Sequence, residues 1–123
     1  MKFLLISHDD ERHWRDVGDD ACGRALGEAV KLAHEIHARG QYILASPLEP
    51  AASATNVRVR DGKRLVTDGP YAETREVVGG FYLVDVDSLA EAIEIAARHP
   101  GARVGTVEIR QIKQVPGLPA ARK

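Results

Sequence analysis

Two short runs of this sequence are hydrophobic at every position, one from Phe3 to Ile6 and the other from Phe81 to Val84. Successive side chains of a β-strand point to opposite faces of its sheet, so a strand of this composition is apolar on both faces. Such a strand needs protein on both sides. Whatever fold the chain adopts must therefore cover two faces of one sheet.

Two other segments carry the 3.6-residue periodicity of amphipathic helices. The first runs from about Asp19 to Arg39 and is followed by a glycine, with a predicted buried stripe of Cys22, Leu26, Ala29, Ala33 and Ile36. The second runs from about Leu89 to Arg98 and begins after a serine that can cap it, with a predicted buried stripe of Leu89, Ala92, Ile93 and Ala96. Both stripes predict helices that lie against the sheet.

Four segments rich in β-branched, aromatic or leucine residues are predicted strands: Lys2 to Ser7, Gln41 to Ser46, Gly80 to Val86 and Gly105 to Ile112. With the two helices, their order is β-α-β-β-α-β. This order predicts an α+β fold of the ferredoxin-like type, with both helices on one face of a four-stranded antiparallel sheet. Residues 1–112 are predicted to form a single domain, followed by a C-terminal tail over residues 113–123.

A β-hairpin is predicted as an insertion between the second and third of these strands. Asp61-Gly62 suits a two-residue type I′ turn, and the flanking segments run from Thr55 to Arg60 and from Lys63 to Thr67. Counting outward from the turn pairs Thr55 with Asp68, which allows a hydrogen bond across the two strands.

The second face of the main sheet predicts a homodimer, because two helices cover only one side. A second copy packed sheet to sheet would cover the other side, and two-fold dimers are the commonest closed assembly. The last strand departs from the apolar pattern, since Thr106, Glu108 and Arg110 point to the face opposite the helices. Charged residues there are either paired with each other or line a ligand pocket, and both interpretations stay open.

Composition narrows the classes of partner. The 123 residues include 17 basic and 18 acidic side chains, a formal net charge of -1, without a long run of one sign, so neither nucleic acid nor a membrane is an expected partner. The first apolar run is too short for a signal peptide or a membrane span, and a cytoplasmic location is expected. The lone Cys22 fits a reducing compartment, and its place on a helical stripe favours an inert thiol.

The stretch Asp68-Gly69-Pro70-Tyr71 is the main candidate for a functional corner. Proline fixes its own φ and biases Gly69 away from helical geometry, and an aspartate before such a turn often accepts hydrogen bonds from backbone amides. A purely structural turn explains all four residues. The alternative is that the turn holds Asp68 rigidly beside Thr55, where the carboxylate orients or deprotonates a substrate.

Other side chains suited to proton transfer or charge recognition surround this corner in the sequence. Glu73 follows closely and Arg58 lies on the predicted hairpin, while His8 stands at the end of the first strand, where it reaches a cavity mouth. His34 and His37 lack the spacing of a zinc-protease helix, so no metal site is expected. Phosphate-loop, dinucleotide and nucleophile-elbow motifs are missing from the sequence, so no organic cofactor is expected.

The sequence resembles the YCII-related family and, within it, the DGPF-domain branch, named for an Asp-Gly-Pro-Phe motif that appears here as Asp68-Gly69-Pro70-Tyr71. The resemblance covers the opening "MKFLLI", the block from Ala54 to Val86, "AEAIEIAARHP" and "GTVEIRQI". It implies a dimeric α/β barrel of ferredoxin-like protomers with a cavity between sheet and loops. It also implies a histidine-aspartate pair as an active site, with no position assigned to that histidine here. Tyr71 replaces the phenylalanine of the motif.

Two functions stay open at this point. The first is a small-molecule enzyme of isomerase, lyase or hydrolase type, with catalytic Asp68 and His8 and with substrate-binding residues Thr55, Arg58, Tyr71, Glu73 and Arg110. It predicts a polar cavity that brings Asp68 near another titratable group. The second is a non-catalytic dimeric module that binds a metabolite or a protein. It predicts that backbone amides and Thr55 use up the hydrogen-bonding capacity of Asp68.

Overall fold

The two uniformly apolar runs lie on the two central strands of a four-stranded antiparallel sheet. A computed structural model describes residues 1–120. The sheet has the order β2-β5-β1-β6, and its strands are β1 (Lys2–Asp9), β2 (Tyr42–Pro47), β5 (Val77–Asp85) and β6 (Thr106–Gln111). Each neighbouring pair is antiparallel. This is the strand order of a ferredoxin-like α+β fold, as predicted.

Within residues 1–120 there are also four α-helices and one 3-10 turn. They are α1 (Glu11–Val17), α2 (Asp19–Ala38), the 3-10 turn (Ala51–Ser53), α3 (Leu89–Arg98) and α4 (Gly101–Val104). Within residues 1–120, no helix is long and apolar enough to cross a membrane. The sheet ends at Gln111, and the last part of the predicted tail, residues 121–123, lies outside the described residues.

Side-chain caps mark where two of the helices, α3 and α1, begin. The Ser88 side chain accepts a hydrogen bond from the Glu91 amide at 3.2 Å, which is the predicted N-cap of α3. Asp10 caps α1 in the same way, accepting from the Arg12 amide at 3.0 Å. Helix α1 was not predicted from the sequence, because its seven residues are too few for a periodic signal and none of them is buried. The four-residue α4 was not predicted either.

The core lies between the helices and one face of the sheet. Its buried members are Phe3, Leu5, Leu32, Ile36, Tyr82, Val84, Val86, Ala92, Ile95 and Ala96. The predicted stripes match it in part. Leu26 is 51% exposed because the first half of α2 borders a cleft rather than the core. Leu89 and Ile93 are about as exposed as Leu26, because α3 turns Ile95 toward the sheet in their place.

The opposite face of the sheet carries a patch made by Leu4, Ile6, Phe81 and Leu83. Leu4 is the register partner of Leu83, and Ile6 is the partner of Phe81, so the four side chains are contiguous. No helix within residues 1–120 covers this patch, which we call the open face, and those residues form no closed barrel. The alternation of β6 is confirmed, because Val107 and Ile109 pack against the core.

The inserted hairpin consists of β3 (Thr55–Arg60) and β4 (Lys63–Asp68) and forms a separate two-stranded sheet. Its predicted register is confirmed, with Thr55 opposite Asp68 and Arg60 opposite Lys63. Asp61 and Gly62 have φ values of 52° and 73°, the left-handed pair that a type I′ turn requires.

The corrected face of α3 gives a stability test within one helix. We expect Ile95→Ala to lower the free energy of unfolding by about 2 to 5 kcal/mol, because it leaves a hole in the core. Ile93→Ala, at a half-exposed position of the same helix, should change it by less than about 0.5 kcal/mol. Urea denaturation of both variants measures the difference, and equal losses would contradict the assigned helix face.

Candidate functional site

The side-chain alternation of β1 places two polar residues on the helix-covered face of the sheet. Ser7 and Asp9 continue the row begun by Phe3 and Leu5, and their exposed fractions are 6% and 8%. Residues this polar are seldom so deeply buried without a partner or a role. The end of β1 is therefore a candidate functional site.

A β-bulge in the neighbouring strand makes room for the Asp9 carboxylate. Ser7 pairs with Gly80 and His8 pairs with Val78, so Gly79 has no partner on β1. A side chain at Gly79 would place its Cβ 2.9 Å from Asp9 Oδ1, which is closer than real Cβ contacts come. Bulges of this kind are frequent next to active sites, where they re-aim a side chain.

A cleft of about 940 Å³ opens above this point, between the sheet and the helices α1 and α2. Its apolar wall comes from the first half of α2, where Leu26 and Val30 alternate with alanines. Its polar end is formed by Ser7, Asp9 and His99. The volume lies in the range of small-molecule sites, which are mostly apolar with a few converging polar groups.

Helix α1 positions a tryptophan over the carboxylate. The Trp14 indole donates from Nε1 to Asp9 Oδ2 at 2.8 Å, and the thiol of Cys22 donates to the Trp14 carbonyl at 3.1 Å. No group within residues 1–120 donates a hydrogen bond to Asp9 Oδ1. One carboxylate oxygen is thus fixed in place, while the other keeps its lone pairs for a group in the cleft.

The neighbouring Asp10 has a different environment. Its carboxylate accepts from the Arg12 guanidinium at 2.7 Å and 3.0 Å, and this hydrogen-bonded partner lowers the pKa of Asp10 to about 2. Glu11 accepts from the Ala51 amide at 2.9 Å, which ties α1 to the turn before the hairpin. These contacts fix the start of α1, so the carboxylates of Asp10 and Glu11 both have structural roles.

His99 follows α3 and brings an imidazole to the polar end of the cleft. Its Nδ1 accepts from the Gly101 amide at 2.9 Å, so the neutral ring carries its proton on Nε2. The ring meets Tyr82 edge to face, with centroids 5.2 Å apart. Burial lowers the pKa of His99 below the ordinary 6.5, although the negative charge of Asp9 opposes this shift. The ring is therefore neutral near pH 7 and offers an N–H donor.

Gly101 allows this polar end to be compact. A Cβ on Gly101 would lie 2.6 Å from Ser7 Oγ and 2.9 Å from His99 Nδ1. The Ser7 hydroxyl and the His99 imidazole therefore both lie close to Gly101, at a position that has no room for a side chain. Ser7, Asp9 and His99 bring together a hydroxyl, a carboxylate and a neutral imidazole, the usual components of acid-base catalysis.

His8, in contrast, lies on the open face. Its Nε2 is 2.9 Å from Glu108 Oε1, and the other Glu108 oxygen is 3.5 Å from the Arg110 guanidinium. The hydrogen bond with His8 is the main reason why the pKa of Glu108 is lowered. His8, Glu108 and Arg110 do not line the cleft. The charged residues of the last strand are therefore paired with each other, which is the first of the two interpretations drawn from the sequence.

Asp68 and Thr55 lie opposite each other at the base of the hairpin. Within residues 1–120 no hydrogen bond joins their side chains. The corner is held instead by the Asn56 amide group, which donates to the Gly69 carbonyl at 2.6 Å, and by the Gly69 amide, which donates to the Ala54 carbonyl at 2.8 Å. Asp68 is exposed and does not line the cleft.

The remaining residues predicted to bind substrate are also exposed. Arg58 lies on β3, Glu73 lies in the segment before β5, and the Tyr71 side chain is 83% exposed. The structure does not bring them to the cleft. A role for them and for Asp68 in substrate recognition stays a prediction.

The histidines of α2 contribute to the cleft without forming a metal centre. His34 and His37 both line it, and His37 packs edge to face on Tyr42 with centroids 5.8 Å apart. In the described part of the chain, no group of three or more histidine, cysteine, aspartate or glutamate side chains is arranged to hold a metal ion.

These features define a small α+β protein of ferredoxin-like strand order with a ligand-sized cleft on the helix-covered face of its sheet. The chain belongs to the YCII-related family, because the family model of the YCII-related domain matches residues 1–116. A relative, an uncharacterized protein of Rhizobium meliloti (strain 1021), is 36% identical over 106 residues, which cover 85% of this chain and 76% of the relative. The resemblance to the YCII-related family, stated from the sequence, is confirmed.

The lowered pKa of His99 predicts a pH dependence of stability. The unfolded histidine takes up a proton near pH 6.5 that the buried ring resists. The free energy of unfolding should therefore fall as the pH drops below about 6.5. In the His99→Gln variant, the free energy of unfolding should depend less on pH in this range.

Urea denaturation between about pH 8 and about pH 5 measures this effect, as the difference between wild type and variant. His34→Gln, at an exposed histidine of α2, is the matched control. Identical profiles for the wild type and His99→Gln would contradict the assigned burial.

Proposed function

We propose that this protein is an enzyme that moves a proton within a small molecule bound in the cleft. One observation carries the proposal: the cleft combines a carboxylate oxygen of Asp9 to which no group within residues 1–120 donates a hydrogen bond with a neutral imidazole on His99. A base and a hydrogen-bond donor held at one end of an apolar cleft are the parts that general acid-base catalysis needs.

Each residue has a role in this proposal. Asp9 is the base, and Trp14 positions it through the indole hydrogen bond. His99 donates from Nε2 to an oxygen of the substrate, and Ser7 supplies a hydroxyl beside it. Isomerase, lyase and hydrolase reactions all use such a set, and none of them needs an organic cofactor for the proton transfer itself.

The proposal assigns the proton transfer to Asp9 and His99 rather than to the sequence-derived pair Asp68 and His8. The reason is location, since the first pair lines the cleft and the second pair does not. Asp68 retains a part in recognition only if the hairpin reaches a cleft in an assembly. The hairpin is exposed along both strands, apart from half-buried Asn56, which leaves it free for such a contact.

We also propose that two copies pack their open faces together as a homodimer and form a dimeric α/β barrel. The patch of Leu4, Ile6, Phe81 and Leu83 supports this, because apolar surface removed from water stabilises an assembly by about 25 cal/mol per Å². A sheet that is apolar on both faces otherwise leaves one of them in water. We propose a cytoplasmic location as well, because the lone cysteine fits a reducing compartment.

A ligand screen combined with two variants tests the catalytic assignment. Compounds from a metabolite library that bind the cleft should raise the melting temperature and change the fluorescence of Trp14, the single tryptophan. Among these compounds, a substrate is recognised by its conversion in NMR spectra. Asp9→Asn should slow that conversion by about 100-fold or more and leave binding within a few-fold.

Asp68→Asn is the matched control, since it makes the same change at the hairpin corner. We expect it to leave conversion unchanged. If Asp68→Asn stops conversion and Asp9→Asn does not, catalysis belongs to the corner instead. Binding without conversion of any compound would favour the alternative function, a non-catalytic dimeric module that binds a metabolite.

The homodimer has its own test at the open face. Leu83→Lys places a charge in the middle of the patch, and we expect it to convert a dimer into a monomer at micromolar concentration. Size-exclusion chromatography with light scattering measures the mass. Leu65→Lys, on the exposed hairpin, is the control and should remain dimeric. A wild-type protein that is monomeric under these conditions would overturn the proposal.

A further inference from the structure

We propose that the substrate is a neutral carbonyl compound with an apolar body, and that Asp9 removes a proton from the carbon next to its carbonyl group. This inference rests on the proposed acid-base function and narrows it to one chemistry. It follows from the charge at the polar end of the cleft, the shape of the apolar wall, and the hydrogen-bonding state of the two reacting side chains.

The charge at the polar end selects an uncharged head group. Asp9 brings a carboxylate, and the imidazole of His99 is neutral near pH 7. The arginines near this end already have partners: Arg12 pairs with Asp10 at 2.7 Å, and Arg103 of α4 pairs with Glu28 at 2.8 Å. Among residues 1–120, neither of these two arginines is free to offset the charge of an anionic head group beside the buried carboxylate of Asp9, which makes such a head group costly in a mostly apolar site.

Arg15 is the remaining arginine of the cleft lining, and it stands at the mouth. Its side chain is 71% exposed and lies 3.5 Å from the equally exposed Asp16. At this exposure water screens its charge, so it has little influence on the buried end. It does not change the preference for a neutral head group.

The wall of the cleft selects an apolar body. Along α2, the apolar residues that line the cleft are Ala25, Leu26, Ala29, Val30 and Ala33, and Pro47 and Leu48 line it from the other side. Toward the end of the helix, His34 and His37 line it as well. The alanines leave room close to the helix, and a ring or a short alkyl chain fits such a slot. Burying this body would supply binding energy away from the reacting atoms.

The hydrogen-bonding state selects a carbonyl oxygen beside a C–H group. The donor on His99 Nε2 suits an oxygen that accepts, and Asp9 Oδ1 suits a hydrogen that is removed. A neutral imidazole beside a carboxylate base is a known combination for forming an enolate, because the donor stabilises the developing oxyanion. A ketone or an aldehyde presents both features on adjacent atoms.

The proposed step is balanced in atoms and charge. The C–H bond breaks, and its proton forms an O–H bond with Asp9 Oδ1. The electron pair moves into the new C=C bond, and the former carbonyl π electrons go to the oxygen, which accepts a hydrogen bond from His99. The negative charge passes from Asp9 to the substrate oxygen, so the cleft never holds a second charge. Return of the proton to carbon gives exchange or isomerisation.

Hydrogen exchange measures this step directly. Phenylacetone has exchangeable hydrogens next to its carbonyl group, and in D₂O their loss is followed by proton NMR. We expect the protein to accelerate this exchange above the buffer rate, and Asp9→Asn to reduce the acceleration by about 100-fold or more. Asp16→Asn, an exposed aspartate of α1, is the matched control and should exchange like the wild type.

Binding is followed separately through Trp14 fluorescence. Pivalophenone is similarly sized but has no hydrogen next to its carbonyl group, so we expect it to bind and to inhibit the exchange of phenylacetone. If Asp9→Asn does not fold, His99→Gln takes its place, and we expect that variant to slow exchange by about tenfold or more.

The outcomes separate this inference from the proposed function. Binding of phenylacetone without accelerated exchange would overturn the substrate class and leave the cleft intact as a binding site. Conversion of a library compound that has no carbonyl group would overturn it as well, while supporting the acid-base function. If neither ketone nor any library compound binds, both the inferred substrate class and the proposed function are overturned.

Discussion

Strand β1 lies in the middle of the sheet, and each of its side chains is committed to one of two environments. On the helix-covered side, Phe3 and Leu5 fill the core, and Ser7 and Asp9 continue the same row into the cleft. On the open side, the apolar row ends at His8. A slip of one residue would exchange the two sets. The register of β1 against β5 therefore determines the core, the polar end of the cleft and the open face together.

Sequence reasoning succeeded where the signal lies within a short stretch of chain. The pair Asp61-Gly62 defines a turn, and the register of the whole hairpin follows by counting. Helical periodicity located α2 and α3 but not their partners, because it reports which residues are apolar and not what they face. Leu26 and Ile93 are apolar and periodic, yet one borders the cleft and the other remains half exposed.

The candidate site was harder to predict because its parts are distant in sequence. Asp9 and His99 come from opposite ends of the chain and meet only because β1 lies beside β6, with α4 packed against it. One signal was nevertheless available in the sequence. Asp9 shares its parity with Phe3 and Leu5, so alternation alone assigns it to the helix-covered face and assigns His8 to the other. The predicted strand ended at Ser7, two residues before the observed end of β1 at Asp9, so this signal was not used.

The adjacent residues Asp9 and Asp10 show how side-chain direction at the end of β1 gives two carboxylates different environments. Asp10 points outward, where Arg12 satisfies both of its oxygens and keeps its pKa at about 2. Asp9 points inward, where its hydrogen-bond partner is the neutral indole of Trp14, bound to a single oxygen. The second oxygen of Asp9 lies at the cleft, where no group within residues 1–120 donates to it, so a bound molecule can supply the donor. We therefore propose the cleft, rather than the exposed corner at Asp68, as the binding site of a substrate.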